Sequence, residues 1–147
     1  KKAIVSHTGT NKETAAQKNA GTLEVEYVPQ GTLAERIRAY GAGLGGVLTP
    51  TGLGTVIQEG KQIVNVDGKD YILEKPLKAD IAFSRANIVD EDGNMVFLGT
   101  TQNFNPLMAM AADYVVVEAE KLVKNGEIAP EQIHASGIFV DGIYLEK

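Results

Sequence analysis

The chain has no cysteine and no tryptophan, and aromatic residues make up only 6% of its 147 residues. Without a thiol, disulfides, thiolate nucleophiles and Cys-ligated metals are excluded. The two histidines, His7 and His134, lie far apart with no metal-ligand spacing. No basic run exceeds Lys1-Lys2, and with a formal net charge of -5 the chain lacks the positive stripe that a nucleic-acid backbone requires. Long apolar runs are missing as well, which excludes a spanning helix, whereas 44% hydrophobic residues and a mean hydropathy of -0.09 exclude disorder. No Asn-x-Ser/Thr site and no signal-peptide pattern occur, so a cytoplasmic setting is expected. The chain opens at Lys1 without methionine, already inside an apolar run, and the full protein is expected to begin earlier.

What is present reads as one α/β domain over residues 1–147, a length at which roughly 70% of the unfolded surface is buried. Ala3 to Val5 reads as a strand, and Asn11 as the N-cap of a helix over Lys12 to Ala20 that Gly21 closes. Leu23, Val25 and Tyr27 alternate with Glu24 and Glu26 in a strand that stops at Pro29. A helix from Thr32 to Tyr40 follows, capped by Gly31 or Thr32. This strand, turn and helix order is the repeating unit of α/β domains. Asp67-Gly68 joins two β-branched runs as a hairpin. Further on, strands are expected at Ala79 to Val89, Met95 to Leu98, Tyr114 to Val117 and Gly137 to Val140, with a helix from Asn105 to Ala112 and a helical turn at Pro130.

Several patterns fail on context. Gly41-Ala42-Gly43-Leu44-Gly45-Gly46 matches a dinucleotide fingerprint by letter, but it follows a helix instead of a strand. Gly60-Lys61 lacks both the earlier glycine and the Ser/Thr of a phosphate loop. Asp90 to Asn94 lacks the acidic ladder of a calcium loop and reads as a turn. Glu118 and Glu120 share one strand face, as a carboxylate pair or a solvated edge. Asn103-Phe104-Asn105-Pro106 reads partly as a helix start, with Asn105 as cap and Pro106 at the first position.

The informative segment is Val28-Pro29-Gln30-Gly31-Thr32-Leu33. An amide between the carboxyl end of a strand and a helix start lies where open α/β sheets bind ligands. Its NH₂ and the helix N–H groups can donate to an anionic oxygen. A simple capping turn accounts for the same residues without using Gln30.

From this segment onward the chain resembles the alpha subunit of family I coenzyme A transferases. The likeness runs through VPQGTLAERIRAYGAGLGGVLTPTGLGT (Val28 to Thr55), the hairpin DGKDYILE (Asp67 to Glu74), the turn DEDGN, Asn103 to Pro106 and EIAPEQIHASGIFVDGI (Glu127 to Ile143). It is closest to the separate-subunit enzymes that move coenzyme A between acetate or another short acyl group and acetoacetate. The resemblance implies an α/β fold with an open, largely parallel sheet, flanking helices and added β-hairpins. The family's Gly-Gly-Phe-Gly segment and the asparagine-containing strand are absent from the sequence, so the chain is expected to be the C-terminal portion of such a subunit.

The implied partner is a beta subunit carrying the nucleophilic glutamate in a Ser-Glu-Asn-Gly motif, and this chain alone is expected to be inactive. The implied substrates are an acyl-coenzyme A thioester and a short carboxylate, with no permanently bound cofactor and no metal. Gln30 matches the family glutamine that faces the active site across the subunit interface. Gly31, Gly43 and Gly52 are candidate substrate contacts, and Leu44, Val47 and Leu48 candidate walls of an acyl pocket. The other reading is a non-catalytic module of the same fold, related to sugar-phosphate isomerases, that senses a sugar phosphate or acyl-CoA. The isolated chain is expected to expose an apolar patch where its missing strand and partner belong, and to self-associate through it.

Overall fold

A computed structural model describes residues 1–146. The chain divides into two compact units, the first built from Lys1–Arg36 and Gly46–Lys75, the second from Ile37–Gly45 and the residues from Pro76 onward.

In the first unit, β1 (Lys2–Val5) and β2 (Glu24–Tyr27) form a parallel pair in the register Lys2↔Glu24 to Val5↔Tyr27. They are connected through α1 (Lys12–Asn19), the crossover that parallel pairing requires. Asn11 caps α1 as expected, its side-chain oxygen accepting from Thr14 N–H at 2.9 Å. Bonds from Gly21 N–H to Lys18 and from Thr22 N–H to Gln17 close the other end. The helix α2 (Gln30–Gly41) starts two residues before the expected Thr32. Its first backbone bond runs from Leu33 N–H to the carbonyl of Pro29, which makes Pro29 the capping position and corrects the assignment to Gly31 or Thr32. A second, antiparallel sheet has the order β3–β5–β4, with β3 at Val47–Thr49, β4 at Ile63–Val66 and β5 at Lys69–Glu74. The Asp67-Gly68 hairpin is where it was expected, whereas β3, inside the glycine-rich stretch, has no period of its own and exists by pairing with β5.

The second unit holds a mixed sheet ordered β7–β6–β8–β9, with β6 at Ala79–Asp90, β7 at Met95–Val96, β8 at Ala112–Val123 and β9 at Gly142–Leu145. β6, β8 and β9 run parallel, and β7 returns antiparallel after the turn in which Asp90 accepts from the N–H groups of Asp92 and Asn94. One face buries Ala82, Ala86, Val115, Val117 and Ala119 against Met95, Phe97 and Ala109. The α/β class and the hairpin are as expected, with the strands distributed over a parallel, an antiparallel and a mixed sheet.

Two expected elements are corrected. Gly137 to Val140 is not the last strand: Gly137–Phe139 forms a 3₁₀ turn, with Ser136 accepting from Ile138 N–H. A Cβ on Gly137 would collide with the Asp92 carbonyl, so this stretch is pressed against the Asp90 turn. Pairing begins after Asp141, whose carboxylate and N–H both bond to Val115. The helix expected from Asn105 to Ala112 is a single turn, α3 (Asn105–Met108), because Ala112 already pairs with Ala79 in β8.

Candidate functional site

The carboxyl ends of β1 and β2 carry the first candidate group. Val28 N–H bonds to the carbonyl of Val5 at 2.9 Å, extending the ladder by one step, and Pro29 then turns the chain into α2. Gln30 is therefore the first residue of the helix, and it is exposed. Its side-chain oxygen accepts a hydrogen bond from the Ser6 hydroxyl, the residue that follows β1. That bond occupies the acceptor end of the amide and leaves the NH₂ end to donate. The N–H groups of the first helical turn have no intrahelical acceptor, and a proline in the capping position offers no side-chain oxygen for them. Backbone donors, the positive end of the helix dipole and the Gln30 NH₂ thus come from one short segment.

Beside it, Tyr27 has its hydroxyl 2.9 Å from Thr8 Oγ1 and 3.2 Å from Lys18 Nζ. The Thr8 hydrogen bond, followed by the Lys18 bond and charge, holds this phenol below its ordinary range. Further along α2, Arg36 donates to Glu26 at 3.0 Å and to the Lys75 carbonyl at 2.9 Å. Glu74, only 2% exposed, is 2.6 Å from Lys61 and 4.0 Å from Arg36. This network joins β2, α2 and β5, so the helix that carries Gln30 is tied by charge to both sheets of its unit.

The three candidate glycines differ. Gly31 is exposed, and a Cβ there would meet nothing within 4 Å. Gly43 lies in the second unit at φ +68° and closes α2, with bonds from Gly43 N–H to Tyr40 and from Leu44 N–H to Ala39. Gly52, at φ +96°, would place a Cβ 2.6 Å from Ile57 Cγ2, so only glycine fits that turn. Backbone geometry alone accounts for Gly43 and Gly52. Of the candidate wall residues, Leu44 and Leu48 are exposed and Val47 is half-buried.

In the second unit, a groove of about 530 Å³ is lined by Phe83, Arg85, Val116, Glu118, Tyr144 and Asn105. Asn105 is not a cap, since Phe104 holds that position. Its side-chain oxygen instead accepts from Arg85 N–H at 3.1 Å, which fixes α3 to β6. Glu118 and Glu120 do share a face, but Glu120 is engaged by Asn87 at 2.8 Å. His134 accepts from Phe97 N–H through Nδ1 at 3.0 Å, a role its sequence neighbourhood did not signal. The sheet face opposite the core exposes the apolar side chains Ile81, Phe83, Tyr114 and Tyr144. Among the described residues no group of three or more His, Asp or Glu side chains lies together to hold a metal. No helix among them is long and apolar enough to cross a membrane.

The sequence profile of the Coenzyme A transferase family matches residues 1–146. The chain belongs to that family. It is 50% identical over 147 residues to the acetate CoA-transferase subunit alpha of Escherichia coli K12, covering all of this chain and 67% of that protein. It is 51% identical over 146 residues to the acetoacetyl-CoA:acetate/butyrate CoA transferase alpha subunit of Clostridium acetobutylicum, covering 99% of this chain and 67% of that one. The fold matches an acyl-CoA transferase from Escherichia coli O157:H7, solved as a thioester complex with CoA, with a TM-score of 0.87 and 23% identity over 98% of this chain and 34% of that one. The chain thus spans about two thirds of the length of the two curated relatives named here.

Proposed function

We propose that this chain serves as the alpha subunit of a short-chain acyl-CoA:carboxylate coenzyme A transferase, working with a beta subunit that supplies the nucleophilic glutamate. The observation that carries the reading is the exposed Gln30 at the mouth of α2, its oxygen engaged by Ser6 and its NH₂ left to donate. Relatives named as alpha subunits of acetate and of acetoacetyl-CoA:acetate/butyrate transferases support the substrate class.

In this scheme the partner's carboxylate attacks the thioester carbonyl, and the electron pair of the C=O bond moves onto oxygen. Collapse of the tetrahedral species breaks the C–S bond, giving an acyl-glutamyl anhydride and coenzyme A thiolate. The thiolate attacks the glutamyl carbonyl, the short carboxylate leaves, and an enzyme thioester remains for a second carboxylate to reverse the sequence. Each attack places negative charge on an acyl oxygen. Neutral donors suit this task, because a fixed cation would stabilise the entering carboxylate as well as the transition state. Gln30 is assigned the side-chain donor and Gly31 a backbone contact beside it, with Gly43 and Gly52 as further backbone contacts to substrate.

The test is Gln30→Ala in the complex of full-length subunits. Turnover is expected to fall about tenfold to a hundredfold, the loss of one transition-state hydrogen bond. Undiminished turnover removes Gln30 from the site.

A further inference from the structure

An amide is nearly symmetric in shape but opposite in chemistry at its two ends. An oxyanion is stabilised only when the NH₂ end faces it, and the carbonyl end repels it. Gln30 is exposed on the first turn of a helix, where rotation about its last side-chain bond would present either end. We infer that Ser6 is a positioning residue for the transferase reaction, holding the oxygen of the Gln30 amide so that the NH₂ group is the end offered to substrate. The inference rests on the assignment of Gln30 above.

The geometry follows from the parallel pair. Val5 and Tyr27 are register partners, so the residues that leave β1 and β2 emerge at the same end of the sheet. Ser6 comes directly after β1, Gln30 three residues after β2, and the Val28 to Val5 backbone bond holds the two exits together. The Ser6 hydroxyl donates to Gln30 Oε1 across 24 residues of sequence. A donor at this oxygen also withdraws electron density through the amide, which strengthens the NH₂ as a donor in the same direction. Ser6 therefore acts through Gln30, by orientation and by polarisation.

The experiment compares turnover and KM in the complex of full-length subunits for Ser6→Ala, Gln30→Ala and the double variant, with Ser6→Thr and Ser6→Val as a hydroxyl-bearing and hydroxyl-free pair of equal shape. Ser6→Ala is expected to lower kcat about threefold to tenfold with KM for the acyl-CoA nearly unchanged, and to cause no further loss when Gln30 is already alanine. Ser6→Thr is expected to exceed Ser6→Val in turnover. Two results would overturn the inference while leaving the role of Gln30 intact: a slow Gln30→Ala enzyme beside a Ser6→Ala enzyme of normal turnover, or an equal loss from Ser6→Ala in both backgrounds. If Ser6→Ala does not assemble, equal turnover of the Thr and Val variants overturns it as well. Normal turnover of Gln30→Ala would instead defeat the underlying assignment, and this inference with it.

Discussion

The two units of the chain are held together by different forces. In the second, Val89, Met95, Phe97, Val115 and Val117 are almost completely buried around the parallel strands, with small alanines between them. In the first, the buried apolar residues among those described are Val28 and Ile72, joined by buried Thr32, Arg36 and Glu74. Apolar burial is cumulative and indifferent to direction, so it suits a scaffold. Charge networks depend on geometry and fix orientation at a desolvation cost, so they suit the unit in which one helix mouth must be aimed. The candidate catalytic amide belongs to the unit with the small core, and its precision rests on polar contacts.

The contrast can be broken most directly at the apolar centre of the second unit. Phe97→Ala is expected to cost about 3–5 kcal/mol, the transfer term plus the cavity left behind, read by chemical denaturation. A cost below about 1 kcal/mol would mean that the core repacks and does not define that unit. Arg36→Ala tests the other side. It removes one of the two cationic partners of Glu26 and the donor to the Lys75 carbonyl beside buried Glu74, at an expected cost of about 3 kcal/mol. Amide hydrogen exchange should show that loss in β1, β2 and β5 while β6 and β8 stay protected. Uniform loss of protection would dissolve the distinction between the units.

The smallest effect is on acid stability. The Lys2 hydrogen bond, opposed by burial and reinforced by Arg36, holds the Glu26 carboxyl below its ordinary 4.5. A carboxylate with a depressed pKa in the folded state contributes stability above its unfolded pKa and loses it as pH falls through the folded value. Protection of β1 and β2 should therefore decline as pH drops below about 4.5, in a step that Glu26→Gln removes. An unchanged step in that variant would assign it to another carboxylate.

How much of this was legible depends on the range of the interaction. The Asn11 cap, the closure of α1 at Gly21, the Asp67-Gly68 hairpin and the Asp90 turn are local hydrogen-bond solutions written within four or five residues, and each was readable. The last strand was misplaced because Gly137 to Val140 has a strand-like pattern, while the groups that displace it, Asp92 and Val115, are distant in sequence. Strand β3 was invisible for the same reason, since its partner β5 begins twenty residues after it ends.

The candidate site divides along that line. Gln30 stands out as a candidate because an amide between a strand end and a helix start is a local pattern, one that a capping turn also explains, and the family resemblance singles out the same residue. Nothing near position 30 names Ser6 as the group that orients it, or Glu74 as an anchor of its helix. The sequence by itself determined the locally specified elements, such as the capped α1, the Asp67-Gly68 hairpin and the Asp90 turn, and that an uncharged donor stands at a helix mouth, because capping and turn chemistry act over a few residues. The tertiary structure alone decided which end of that amide is free and what holds its helix in place, because a hydrogen bond or ion pair between distant residues exists only once the folded chain has brought their elements together.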